Sequence, residues 1–172
     1  MTFVKFLVAL VAAYLVHLVG VSVSPLLPRI VDPFLLVVVW YSMRTGPVGA
    51  ELIGTATGLL QDGLSGGLFG LHAFAETVVG YGVALAAQRI VVGQQAARVL
   101  VFAAAAALQQ LVLAGLLRAM VGANAPLPSW GSAIGKVIVS ALLGAALISM
   151  ESRARTGWSS WQRRRSRILR FR

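Results

Sequence analysis

The chain has no cysteine, only five acidic residues among 172, and charged residues of both signs at only 12%. The missing cysteine excludes a disulfide framework and a thiolate metal site. The scarcity of charge excludes an ordinary soluble surface, because soluble domains carry about 25% charged residues. No H-E-x-x-H, P-loop or metal-ligand cluster is present, so no cofactor or metal is expected. What is abundant is hydrophobic sequence, at 58%, which makes lipid the main solvent. The net charge of +10 raises the question of nucleic acid, but eight of the fifteen basic residues lie between Arg153 and Arg172. The others punctuate apolar runs, which is a pattern of membrane topology, and no nucleic-acid partner is expected.

Six apolar runs are marked by what interrupts them: Phe3 to Ser24, the stretch between Pro28 and Arg44, Gly46-Pro47 to Asp62, Leu68 to Gln88, Val99 to Val121 and Ser132 to Met150. Each approaches the roughly 20 residues that cross about 30 Å of hydrocarbon, except the second, which is short. The first is read as a retained anchor, since Val21 to Ser24 before Pro25 makes a poor cleavage site. With the N-terminus inside, Lys5, Arg44, Arg89, Arg98 and the eight tail arginines face the cytoplasm, against Arg29, Arg118 and Lys136 outside. Twelve against three is a strong positive-inside asymmetry. The expected architecture is an all-α inner-membrane protein with six spans, both termini inside. Residues 1–150 form the membrane domain and 151–172 a basic cytoplasmic tail.

In that tail, Trp158, Trp161, Ile168 and Leu169 share one broad face if the segment is helical. Such a helix would set its tryptophans at headgroup depth and Arg163, Arg164 and Arg165 on anionic lipid. A basic tail that only fixes topology is the alternative.

Polar residues inside apolar runs are costly, so their positions are informative. On the third span Glu51, Thr55, Gly58 and Asp62 fall on one helical face. On the fourth, His72 and Glu76 are four apart and within reach of each other. A glycine turn at 63–67 makes the two spans antiparallel neighbours and brings Asp62 toward His72. One reading is a polar cavity or ion path walled by Glu51, Asp62, His72 and Glu76. The other is structural, with Asp62 capping the turn through the N–H groups of Gly63 to Ser65 and His72 neutralising Glu76. His17, three residues after Tyr14, reads as a packing contact. Gly54-Thr-Ala-Thr-Gly58 is a small-xxx-small motif, and Gly66 and Gly70 extend that property toward the fourth span, for packing in the bundle or against a partner. Gly63-Leu-Ser-Gly-Gly67 matches the G-x-S-x-G nucleophile pattern, but His72 follows Ser65 too closely, across a helix start, to serve as its base. Catalysis is not expected.

The segment Gly58 to Phe74 and then Gly80-Tyr81, with Gly58, Leu59, Leu60, Asp62, Gly66, Gly70, Leu71 and Ala73 carrying the match, resembles the MreD family. Pro33 and its apolar run, followed by Arg44 and Gly46, looks like that family's proline-led second span and cytoplasmic turn. The resemblance implies a non-enzymatic membrane scaffold of the bacterial rod-shape and cell-wall elongation machinery. It implies direct binding of MreC, a bitopic protein with a periplasmic domain. Through MreC it implies association with the MreB filament, the glycosyltransferase RodA and a penicillin-binding transpeptidase. The six-span arrangement is also similar to the substrate-binding subunits of energy-coupling-factor vitamin transporters. A transporter subunit is therefore the alternative function, with Asp62, His72 and Glu76 lining its cavity.

Overall fold

The computed structural model describes the backbone of residues 2–24, 26–89, 95–122 and 129–168, and the side chains of these apart from 2, 29 and 154–168. All regular elements among the described residues are helices: α1 (Thr2–Val23), α2 (Leu27–Ile30), α3 (Pro33–Ser42), α4 (Pro47–Ser65), α5 (Leu71–Arg89), α6 (Gln95–Val121) and α7 (Trp130–Ile168).

Helix boundaries follow local chemistry. Pro33 and Pro47 occupy the first helical positions of α3 and α4, where a missing N–H costs nothing. Asp32 caps α3, its Oδ1 accepting from the Leu35 N–H at 3.1 Å. The second apolar run is therefore not one helix but α2 and α3 separated by Val31-Asp32, because Asp32 prefers the cap to a helical interior. Helix α4 runs through Gly63 to Ser65 and closes at Gly66, whose φ of +62° is left-handed. The turn thus covers 66–70, three residues later than the glycine spacing suggests.

Among the described residues, three helical segments are long and apolar enough to cross a membrane: Phe3–Val23, Gln95–Val121 and Trp130–Arg153. The apolar helix α3 is shorter, at 10 residues. Only 6% of the α1 segment is buried by the rest of the protein, and its Phe3, Val4, Val8 and Val19 are more than 60% exposed. Inside the bundle lie Asp32, Gln61, Asp62, Glu76, Gln109 and Lys136, all below 10% exposed. Apolar groups outside and polar groups inside is the arrangement a lipid solvent selects.

The apolar core joins α3, α5, α6 and α7 through Leu35, Val38, Val39, Val79, Val83, Phe102, Ala105 and Ile148. A second, smaller cluster docks α1 on α3 through Ala13, Phe34 and Val37, with Phe6 edge-on to Tyr41 at 5.4 Å. His17 sits 5.5 Å from the Phe34 ring, a packing position. Helices α4 and α5 are antiparallel and approach backbone to backbone. A Cβ at Gly54 would strike the Glu76 carbonyl, and one at Gly58 would strike the backbone of His72 and Ala73. Both glycines therefore face the chain's own α5. Gly66 and Gly70 are turn positions with φ of +62° and +97°, and a Cβ there meets nothing.

Candidate functional site

Where α4 hands over to α5, Asp62 organises the turn. Its Oδ2 accepts from the N–H groups of Gly70 at 2.9 Å and Ala73 at 3.0 Å. Its Oδ1 accepts from the His72 N–H at 2.9 Å and lies 2.8 Å from His72 Nδ1. A helix start presents unpaired N–H donors and a positive dipole end, so one buried carboxylate here satisfies three backbone donors together. Asp62 thus caps the following helix, α5, and not the 63–65 segment, which is still helical. His72 turns to Asp62 and leaves Glu76 to other partners. Ser65 Oγ donates to the Asp62 carbonyl at 3.2 Å, so Ser65 and the His72 ring have separate partners and form no nucleophile–base pair.

Deeper in the bundle five helices each contribute one polar side chain. Asp32 comes from the start of α3, Gln61 from α4, Glu76 from α5, Gln109 from α6 and Lys136 from α7. Three donors converge on Asp32 Oδ2: Lys136 Nζ at 2.7 Å, Gln109 Nε2 at 3.0 Å and Gln61 Nε2 at 3.3 Å. Gln109 Nε2 also donates to Glu76 Oε1 at 2.5 Å. Glu76 and Gln109 are fully buried, and Asp32, Lys136 and Gln61 are 3%, 6% and 8% exposed. An ion pair this deep holds only because each charge is matched and hydrogen-bonded.

Sequence reasoning found Glu76 but missed the four residues around it. Lys136 reads as an outside topology charge, and Asp32 is not singled out. The usable signal was one lysine and one aspartate of opposite charge, each within an apolar run, where neither is stable unpaired. Gln61 and Gln109 are neutral and carry no comparable signal.

At the other end of α3 a second cluster gathers. Arg44 Nη2 donates to Glu151 Oε1 at 2.7 Å and Arg98 Nη2 to Glu151 Oε2 at 2.9 Å. The Arg44 guanidinium also lies 3.8 Å over the Trp40 ring and donates to the Trp40 carbonyl at 2.8 Å. This clamp joins α3, α6 and α7.

Glu51 stands apart, half-buried near the start of α4 and eleven residues, or about 16 Å, from Asp62. Thr55, on the same face, pairs with Thr77 of α5 at 2.7 Å. The tail side chains Trp158, Trp161, Arg163, Arg164 and Arg165 lie outside the described residues, although the backbone of α7 is helical through Ile168.

The centre is a buried ion pair bridged by amides to a second carboxyl group, able to hold charge and to tie five helices together. Among the described residues no group of three or more His, Cys, Asp or Glu side chains is placed to hold a metal ion. No curated protein and no solved structure matches the chain. A family model described as the rod shape-determining protein MreD matches residues 1–147. That match spans all seven helices down to the middle of α7, including every residue of the polar centre, and the chain belongs to the MreD family.

Proposed function

We propose that this chain is a non-enzymatic scaffold subunit of the bacterial elongation complex, crossing the inner membrane six times with both ends in the cytoplasm and binding MreC. The observation that carries this reading is the match to a rod shape-determining family over residues 1–147. Six crossings require α2–α3, α4 and α5 to span as well. The 19 residues of α4 and of α5 reach about 28 Å each. Helices α2 and α3 form a shorter crossing, broken at Asp32, and such a break is tolerated at membrane depth where it is buried in protein. The meeting of Arg44, Arg98 and Glu151 at one end supports a common, cytoplasmic side for them.

Because Gly54 and Gly58 are occupied by α5, a partner helix must use other faces. One such face is a cleft of about 560 Å³ between α1 and α4, lined by Leu7, Leu10, Val11, Tyr14, Leu59, Leu60, Gly63 and Leu64. Its apolar walls suit the membrane helix of a single-pass protein such as MreC. The MreB filament, RodA and the transpeptidase are reached through MreC, and the arginine tail engages anionic lipid at the cytoplasmic face. A transporter subunit would need a ligand pocket at Asp62, His72 and Glu76. Asp62 and Glu76 are instead engaged with neighbouring helices, which favours the scaffold.

The test is recovery of the protein at native levels from bacterial membranes, with identification of what accompanies it. MreC in the recovered complex is the expected result. Recovery of MreC-free protein carrying a bound small molecule would transfer the assignment to the transporter class.

A further inference from the structure

The charge of the buried centre does not balance. Asp32 and Glu76 are two carboxyl groups facing a single ammonium, Lys136, and all three are below 10% exposed. Lys136 is committed to Asp32 at 2.7 Å. Glu76 has one neutral donor, Gln109 Nε2, on Oε1, while its Oε2 has no hydrogen-bond partner. The other unpartnered buried atoms on these side chains are also oxygens: Gln109 Oε1 and Gln61 Oε1. Thr57 Oγ1, one turn before Gln61 on α4, is likewise buried and unpaired. Each helix around Glu76 can be counted. Among the described residues, α3 offers Asp32, α7 offers Lys136, and α4 and α6 offer only neutral amide and hydroxyl groups to the centre.

A leftover negative charge in a low-dielectric interior is costly, and natural folds avoid it by supplying a counter-charge. The open atoms are hard oxygens, with neither sulfur nor free imidazole among them, so they suit a proton or a hard metal cation and not a soft one. A divalent ion would overshoot to a net positive charge beside Lys136. We propose that the centre of the bundle binds one exchangeable monovalent cation at Glu76 Oε2, either a proton or an alkali-metal ion. With it bound the centre is neutral and the five helices close on it. Without it Glu76 and Asp32 repel across the Gln109 amide. The proposal is independent of MreC binding.

Infrared spectroscopy of the full chain in lipid nanodiscs tests it, with glutamate carboxyl groups labelled with carbon-13. The chain has three glutamates, Glu51, Glu76 and Glu151, so the labelled bands are assignable. If the cation is a proton, the chain at neutral pH shows a labelled protonated-acid carbonyl band in choline, sodium and potassium chloride alike. Glu76→Gln loses that band. If it is an alkali ion, exchanging choline for sodium or potassium at constant ionic strength shifts a labelled carboxylate band saturably, and Glu76→Gln abolishes the shift. The Glu51→Gln and Glu151→Gln variants keep either signature, which assigns it to Glu76 even where Glu76→Gln does not fold. A Glu76 carboxylate band with no protonated form and no response to alkali ions, across the pH range of the folded protein, would overturn the proposal. So would a signature that follows Glu51 or Glu151.

Discussion

Two ion-pair clusters hold the same three helices, α3, α6 and α7, at different levels, and their bond lengths are nearly identical. In the centre Lys136 meets Asp32 at 2.7 Å, and at the rim Arg44 and Arg98 meet Glu151 at 2.7 and 2.9 Å. What differs is the surroundings. The Lys136 and Asp32 side chains are 8% and 2% exposed, whereas those of Arg44, Arg98 and Glu151 are 32%, 20% and 17% exposed. Where water reaches a pair, it competes for both partners and salt screens their attraction, so an exposed pair contributes up to about 1 kcal/mol. Where it does not, the pair gains little over an apolar contact, but losing one member strands the other. Distance does not rank these contacts. Burial does.

The sharpest way to break this comparison is Lys136→Met. Asp32 keeps two amide donors and a backbone N–H but loses the ammonium paired with it, and a cost of about 3–5 kcal/mol is expected. Thermal unfolding in detergent should show a large fall in midpoint or loss of folded protein. The double variant Asp32→Asn, Lys136→Met should recover much of it, since a neutral amide at 32 no longer needs an ammonium. A single variant as mild as the rim variants would refute the ranking. Asp62→Ala comes next. It uncaps α5 and leaves three N–H groups without their acceptor, for a loss of about 2 kcal/mol, read from the same melt. His72→Ala should cost less, because those three backbone bonds remain.

At the rim, Glu151→Gln weakens both arginine contacts for about 1 kcal/mol or less. The difference from wild type should shrink as salt is raised from low to molar concentration, while that of Lys136→Met stays. Melts at the two salt concentrations separate the clusters. Equal salt sensitivity would mean that water reaches the centre.

How much of this was legible in the sequence follows from what each residue announces locally. The helical class, the start of α4 at Pro47 and the apposition of Asp62 and His72 came from punctuation and spacing, which are local. The break at Asp32 was missed because Pro33 is compatible both with the first turn of a long span and with the first residue of a new helix. The turn slipped by three residues because Gly63 is tolerated inside α4, and the glycine that reverses the chain is Gly66. The polar centre needed tertiary knowledge. Asp32 and Lys136 are 104 residues apart, and no periodicity links them. One of the two readings paired Glu76 with His72 because four residues is a helical spacing, but the Asp62 cap captured the histidine.

The smallest expected stability effect carries the largest consequence for the proposed function. Gly63 is helical, and a Cβ placed there meets nothing within 4 Å. It lies on the wall of the α1–α4 cleft, opposite Leu7, Leu10 and Val11. The Cβ of Gly63→Leu therefore meets no neighbour, and the rest of its side chain extends into the cleft. The substitution should change stability by no more than about 1 kcal/mol, and in the favourable direction, because glycine is the poorer helix former. The new side chain fills space that a partner helix would otherwise enter. The melt should match or slightly exceed wild type, and recovery of MreC from native membranes should fall several-fold. The rim and centre variants that remain folded should retain MreC, since neither cluster borders this cleft. Undiminished recovery with leucine at 63 would move the partner contact to another face of the bundle while leaving the order of the three stability effects intact.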